Sequence, residues 1–166
     1  MGVRSLGNAL ASFGYKFGTT GLEAVTPDPA SQPFSASGGT TTTFGTNKAH
    51  IFEYGTSDNF EVTSGSKNID ILVVGGGGGG ANGGPGQGGG GGAGAVIYET
   101  GFTVTPGTYP ITVGDGGASG RPGSRGDNSS FSTTHIAYGG GGGGGATAGL
   151  AGGSGWVWLV KSNDGG

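Results

Sequence analysis

The sequence contains no cysteine, one methionine and two tryptophans among its 166 residues. A chain without cysteine has neither disulfides nor zinc–thiolate sites, which suits assembly in a reducing cytoplasm. Charge is also scarce. Asp, Glu, Lys and Arg make up 10% of the chain, with a net charge of −3 and a pI near 5.1. The basic residues Arg4, Lys16, Lys48, Lys67, Arg121, Arg125 and Lys161 are scattered rather than aligned in a stripe, so nucleic acid is not an expected partner. Hydrophobic residues are 31% of the chain, and their longest runs are far too short to span a bilayer, so no membrane insertion is expected. Met1 to Leu6 lack the apolar stretch of a signal peptide. They also miss the myristoylation pattern, because Leu6 stands where Ser or Thr is needed.

Groups that carry chemistry are equally sparse. His50 and His135 are the only histidines; each falls in a strand pattern with no partner at metal-ligand spacing, and both are expected to be partly exposed sheet residues. No carboxylate pair stands out among Glu53, Asp58, Glu61, Asp70, Glu99, Asp115 and Asp127, and no serine sits in a nucleophile elbow. G-x-G-x-x-G matches many times, but only as a by-product of composition. No G-x-x-x-x-G-K-[ST] exists, and no amphipathic helix follows any glycine block. Neither catalysis, nor a cofactor, nor a metal is expected.

What the sequence has is glycine. Forty-six glycines and seven prolines make up nearly a third of the chain, and the glycines cluster in three blocks, 75–94, 114–126 and 139–155. Glycine loses more backbone freedom on folding than any other residue. Such blocks are therefore either loose linkers or packed lattices that only glycine can build. With so little apolar material, a folded form must draw much of its order from backbone hydrogen bonds. In the middle block Gly117, Gly120, Gly123 and Gly126 recur at every third position. That spacing puts them on one edge of a polyproline-II-type helix, with Arg121 and Arg125 facing solvent, and reads as one rod in a bundle of extended polyglycine helices.

Each block follows a strand. Strand patterns are readable at 49–54, 60–63, 69–74, 95–104, 109–113, 130–138 and 156–161, separated by turn residues such as Gly55-Thr56-Ser57-Asp58-Asn59 and Pro106-Gly107. Tyr109, Ile111 and Val113 share one face. Trp156, Trp158 and Val160 share another, and the bulk of the tryptophans is expected in the core. No stretch shows a convincing helical period beyond a turn or two at Leu6 to Phe13. The fold expected is all-β: an antiparallel jelly-roll or β-sandwich with inserted polyglycine-II helices and an extended N-terminal arm. If the strands are neighbours in one sandwich, the three glycine blocks emerge side by side at one end. Residues 1–33 read as an anchoring arm and 34–166 as the glycine-rich β-sandwich domain. The arm carries Leu6, Leu10, Phe13, Tyr15 and Phe17 between glycines, cannot bury them alone, and ends in Thr26-Pro27-Asp28-Pro29, which forces an extended path.

Ligand candidates lie where the blocks are interrupted: Asn82, Pro85 and Gln87 in the first, Ser119, Arg121, Pro122, Ser124 and Arg125 in the second, Thr147 and Leu150 in the third. Arg125-Gly126-Asp127 spells an integrin-type tripeptide that a glycine-rich segment produces readily by chance.

The ordered series Ile71-Leu72-Val73-Val74-Gly75, then Gly88 to Val96, then Thr105-Pro106-Gly107-Thr108-Tyr109-Pro110-Ile111-Thr112-Val113-Gly114, then Gly126 to Phe131 and Ala137-Tyr138 with its glycines, resembles the glycine-rich domain of tailed-phage virion proteins. The opening, with Ser5-Leu6-Gly7-Asn8 and Gly18-Thr19-Thr20-Gly21-Leu22-Glu23-Ala24, is similar to the start of small structural proteins of marine and cyanobacterial phages. The resemblance implies a TNF-like sandwich carrying polyglycine helices, and a non-enzymatic component of the virion surface assembled in the host cytoplasm. With no coiled coil or long shaft, a short fibre or knob tip is expected, adhering to a host surface glycan or protein through the loop tips. The arm would bind other virion proteins of capsid or tail. The alternatives are a capsid decoration or cement protein anchored by that arm, and an ice-binding protein, which needs a flat regular face. A closed homo-oligomer, a trimer by analogy with jelly-roll proteins, is expected.

Overall fold

The computed structural model describes residues 15–18, 21–24, 27–55, 58–81, 88–144 and 155–161. Along them run β1 (Tyr15–Gly18), β2 (Gly21–Ala24), β3 (Ser35–Ser37), β4 (Thr40–Phe44), β5 (Asn47–Glu53), β6 (Asn59–Ser64), β7 (Lys67–Val74), β8 (Val96–Val104), β9 (Gly107–Thr112), β10 (Ser129–Phe131), β11 (His135–Ala137) and β12 (Trp156–Lys161). The helical structure among the described residues is a 3-10 turn at Pro29–Ser31, and no helix there is long and apolar enough to cross a membrane.

Two five-stranded antiparallel sheets form a β-sandwich. One has the order β4-β5-β12-β7-β8, the other β11-β10-β9-β6-β3. Register follows side-chain burial. On β6, Phe60 and Val62 are buried while Asn59, Glu61 and Thr63 are exposed, the period-two pattern of a strand with one wet face. On β7 the buried residues are Ile69, Ile71 and Val73, and on β12 they are Val157 and Leu159. The sheets close over these and over Phe52, Val104, Phe131 and Ala137. Phe131 is the hub. It stacks on Tyr109 (5.4 Å between centroids, 13° between planes) and meets Phe102 edge-on (5.8 Å, 85°), a pairing that aromatic quadrupoles favour.

The structure corrects several expectations. The core positions of β12 belong to Val157 and Leu159, so Trp156 and Trp158 occupy the register positions of the opposite face. In the run Trp-Val-Trp-Leu-Val both phases are apolar, so the sequence alone does not say which phase faces inward. Both histidines are buried rather than partly exposed, His50 at 5% and His135 at 8%. His50 Nδ1 lies 2.8 Å from the Gly38 carbonyl with its ring edge-on to Phe60, and His135 Nε2 lies 2.6 Å from Glu99 Oε2, tying edge strand β11 to edge strand β8. The single strand expected over 130–138 is a hairpin, β10–β11, turned at Ser132 with φ 55°. Strands β3 and β4 were not anticipated. The five residues of β4 are all exposed, so no apolar alternation marks it.

The polypeptide enters the sandwich at the end remote from the glycine. Gly65, in the turn between β6 and β7, donates its N–H to the Pro29 carbonyl (2.7 Å). Its φ of 74° and the Phe34 and Gln32 backbone packed where a Cβ would stand require glycine there. Upstream, β1 and β2 form a hairpin with Tyr15 opposite Ala24 and Phe17 opposite Leu22. Of the residues expected to anchor the arm, Tyr15 and Phe17 lie in β1, while Leu6, Leu10 and Phe13 lie outside the described residues.

Candidate functional site: the glycine rods and their tips

Strands β7, β9 and β11 each run out of the same end of the sandwich into glycine. Rod 1 (75–81) continues β7, and rod 2 (88–95) returns into β8. Rod 3 (114–120) follows β9, and rod 4 (123–128) returns into β10. Rod 5 (138–144) continues β11. The N–H groups of Gly75, Gly78 and Ala81 donate to Ala95, Gly92 and Gly89 of rod 2 at 2.8–2.9 Å. Those of Gly76 and Gly79 donate to Asp127 and Ser124 of rod 4 (2.9 and 2.8 Å). Rod 1 in turn accepts from Gly140 and Gly143 of rod 5 (both 2.8 Å) and from Gly117 and Gly120 of rod 3 (2.8 and 3.3 Å). Every series advances by three residues, the repeat of a left-handed extended helix, so successive N–H groups point at different neighbours.

Rod 1 is therefore the axis of the bundle, and its residues are buried apart from half-buried Gly77. The outer rods also bond to each other. Gly89, Gly92 and Ala95 donate to Gly144, Gly141 and Tyr138 (2.9, 2.7 and 2.8 Å), and Gly123 and Gly126 donate to Gly143 and Gly140 (both 2.9 Å). Side chains are excluded at the contacts. A Cβ at Gly123 would fall well inside 3.0 Å of the Gly79 carbonyl, and a Cβ at Gly76 well inside 3.0 Å of the Asp115 carbonyl. On the outer faces there is room: at Gly90, Gly141 and Gly144 a Cβ meets nothing within 4 Å. The bundle stands on a buried hydroxyl at its base, where Ser129 Oγ, fully enclosed, accepts from the Gly114 N–H (3.0 Å).

The expectation of glycine rods side by side at one end holds, with one correction. The triplet series from Gly117 to Gly126 is two antiparallel rods, not one. The chain turns at Arg121-Pro122, where proline brings no N–H to the lattice, and rod 4 runs back along rod 3 through Ser124 to Ala118 (2.9 Å) and Asp127 to Asp115 (2.8 Å). Of the tip residues read from sequence, Ser119, Arg121 and Pro122 come together at this turn, with Arg121 and Pro122 exposed. Ser124 and Arg125 are exposed on the flank of rod 4, where Arg125 Nη2 donates to Asn128 Oδ1 (3.2 Å). The Arg-Gly-Asp tripeptide is part of that rod, with Gly126 packed against the Gly76 carbonyl. Asn82, Pro85, Gln87, Thr147 and Leu150 lie outside the described residues. Gly89, Gly120, Gly123 and Gly144 nevertheless bring the outer ends of all five rods to one place.

Sequence reasoning missed a cleft at the foot of the bundle. It has a volume of about 500 Å³, with Tyr54, Gly55, Asp58 and Asn59 on one side and Ile111, Thr112 and Val113 on the other. The Tyr54 hydroxyl, on a half-exposed ring, donates to the Asp115 carboxylate at the start of rod 3. That hydrogen bond, with the charges of Asp115 and Asp127, holds its pKa above the ordinary tyrosine value. Asp58 braces the same wall, accepting from Gly39 N–H (2.7 Å) and Asn59 N–H (2.8 Å). Residues this far apart in sequence give no spacing signal. Among the described residues no three His, Asp or Glu side chains converge to hold a metal ion.

Residues 51–162 match the family model described as the glycine-rich domain, and the chain belongs to that family. The match runs from within β5 to just past β12, and leaves the arm, β3 and β4 outside it. No curated protein matches the chain in sequence.

Proposed function

We propose that this glycine-rich domain protein is a non-enzymatic structural protein of a phage particle surface. In this reading the arm anchors it and the rod bundle holds adhesive loop tips toward the host. The observation that carries the reading is the placement of the two functional ends. The arm root, Pro29 bonded to Gly65, sits at the end of the sandwich opposite the one from which all five rods emerge. A cross-bonded bundle that, among the described residues, encloses no side chain larger than the Ala81 methyl is stiff, and so it keeps its tips at a fixed distance and orientation from the anchor. Preorganised tips lose little freedom on binding, and many copies on one particle add avidity to a weak site. The phage assignment draws on the resemblance of the ordered strand and glycine series; the host ligand is a surface glycan or protein.

The test is binding of purified protein, displayed in many copies on beads, to host cells. The Ser119→Asp/Arg121→Glu double variant should lose binding with unchanged melting. Tyr54→Ala reports separately on the cleft. Loss of binding in Tyr54→Ala alone would move the adhesive site from the tips to the foot of the bundle. Full binding by both variants would refute adhesion through this end and favour a decoration role carried by the arm.

A further inference from the structure

The cleft at the foot of the bundle has no task in the reading above. It lies between the β5–β6 turn and the end of β9, and its volume of about 500 Å³ falls within the range of small-molecule sites. Two of its groups are held still by the fold. The Tyr54 hydroxyl is engaged by the Asp115 carboxylate, so what the half-exposed ring offers the cleft is aromatic carbon. The Asp58 carboxylate accepts from Gly39 N–H on one oxygen (2.7 Å) and from Asn59 N–H on the other (2.8 Å). A carboxylate has about four acceptor positions, so these two bonds fix its orientation and leave it able to accept more. On the opposite side, half-buried Ile111 and Val113 give apolar surface and exposed Thr112 gives a hydroxyl.

The chemistry of the lining selects the ligand. No lysine or arginine lines the cleft, while Asp58 does and Asp115 bonds to its tyrosine, so phosphates, sulfates and acidic sugars are repelled. A wholly apolar ligand would strip water from the Asp58 carboxylate and the Asn59 amide without replacing its hydrogen bonds. A metal ion would find no full set of ligands, since among the described residues no three His, Asp or Glu side chains converge. A ligand with a C–H face for Tyr54, Ile111 and Val113, and an edge of hydroxyls for Asp58, Asn59 and Thr112, meets every group present. That two-sided character belongs to a sugar ring.

We propose that this cleft binds a neutral mono- or disaccharide, packed by its C–H face against Tyr54 and hydrogen-bonded through its hydroxyls to Asp58 and Asn59. The ring and the carboxylate are in position before the ligand arrives, so little freedom is lost on binding. The site is separate from the rod tips, and the inference rests neither on adhesion through them nor on the phage reading.

The test is titration of isotope-labelled full-length protein with neutral sugars, read by amide chemical shifts. The probes are the methyl glycosides of glucose, galactose, mannose and N-acetylglucosamine, with lactose and maltose. At least one should saturate, with shifts centred on Gly55, Asn59, Thr112 and Val113. Tyr54→Leu and Asn59→Ala should each weaken binding by about tenfold with melting unchanged. Tyr54→Phe, which keeps the ring and loses the bond to Asp115, should weaken it less than Tyr54→Leu. The Ser119→Asp/Arg121→Glu tip variant should bind the sugar as wild type does, so failure here and failure of adhesion at the tips are read apart. Four results would each overturn the proposal: no saturable shift from any of these sugars, shifts centred away from the cleft, undiminished affinity in both Tyr54→Leu and Asn59→Ala, or a response to methylammonium or gluconate with none to the neutral sugars.

Discussion

Replacing Gly123 by alanine adds one methyl group at the point where rod 4 presses on rod 1. The built Cβ overlaps the Gly79 carbonyl oxygen and lies 2.8 Å from the Gly80 carbonyl oxygen. Both are backbone, so neither can rotate away, and the rods must separate. Separation loosens the bonds that fasten rod 4 to its neighbours nearby: Gly79 N–H to Ser124 (2.8 Å), Gly123 N–H to Gly143 (2.9 Å) and Gly76 N–H to Asp127 (2.9 Å). At about 1 kcal/mol net for each, the loss is roughly 2–4 kcal/mol. For a domain of this size, with a Tm shift of roughly 2–4 °C per kcal/mol, the midpoint should fall by about 5–15 °C. The control is Gly141→Ala, one rod away on the outer face, where the added methyl meets nothing within 4 Å. There alanine restricts only the unfolded chain and should stabilise by about 0.4–1 kcal/mol. Thermal melting followed by circular dichroism compares the two. Equal shifts, or a stabilising Gly123→Ala, would refute the packed lattice and return the blocks to the status of linkers.

Ser129→Ala removes the acceptor of the Gly114 N–H at the bundle foot, and should cost about 1–3 kcal/mol in urea unfolding. Phe131→Ala empties the hub of the aromatic cluster and should cost about 3–5 kcal/mol, enough to lower the melting midpoint by roughly 10 °C or more. For Tyr54, the raised pKa means that the phenol keeps its proton above the pH at which an ordinary tyrosine ionises. Asp115→Ala removes both the hydrogen-bond acceptor and the charge, so the 295 nm titration component assigned by difference from Tyr54→Phe should move to lower pH. No movement would mean that the hydroxyl does not bond Asp115.

Much of the architecture was legible in sequence, because glycine at these densities admits few packed solutions and each block is entered from a recognisable strand. What failed did so for identifiable reasons. The Gly117–Gly126 triplets hid a reversal because a three-residue repeat is compatible with both a continuous rod and two antiparallel ones; only Pro122, without an N–H to give, marks the turn. The phase of β12 was unreadable because Trp156, Val157, Trp158, Leu159 and Val160 are apolar in both registers. The threonines of β4 carry no amphipathic signal. The Tyr54–Asp115 contact joins the β5–β6 turn to the first residues of rod 3, a juxtaposition made by the sandwich and invisible to spacing.

The bundle also shows how so apolar-poor a chain orders its most flexible segments. Fixing a residue's backbone costs about 1–2 kcal/mol and one hydrogen bond returns about 0.5–1.5, so a lone rod has no stability of its own. Rod 1 bonds to four neighbours, and each of the five rods joins a sandwich strand at its inner end. The sandwich core, held by Phe131 and the β7 and β12 residues that pack with it, thus sets the starting positions of the rods, and the rods add bonds only once all are in place. The lattice therefore depends on the core for its formation. Damage at Gly123 should unfasten the rods while the aromatic cluster persists, whereas damage at Phe131 should release both together. Hydrogen exchange separates the two cases. In Gly123→Ala the amides of Gly79, Gly126 and Gly143 should exchange early while those of β7 and β12 stay protected, and in Phe131→Ala all should exchange in one step.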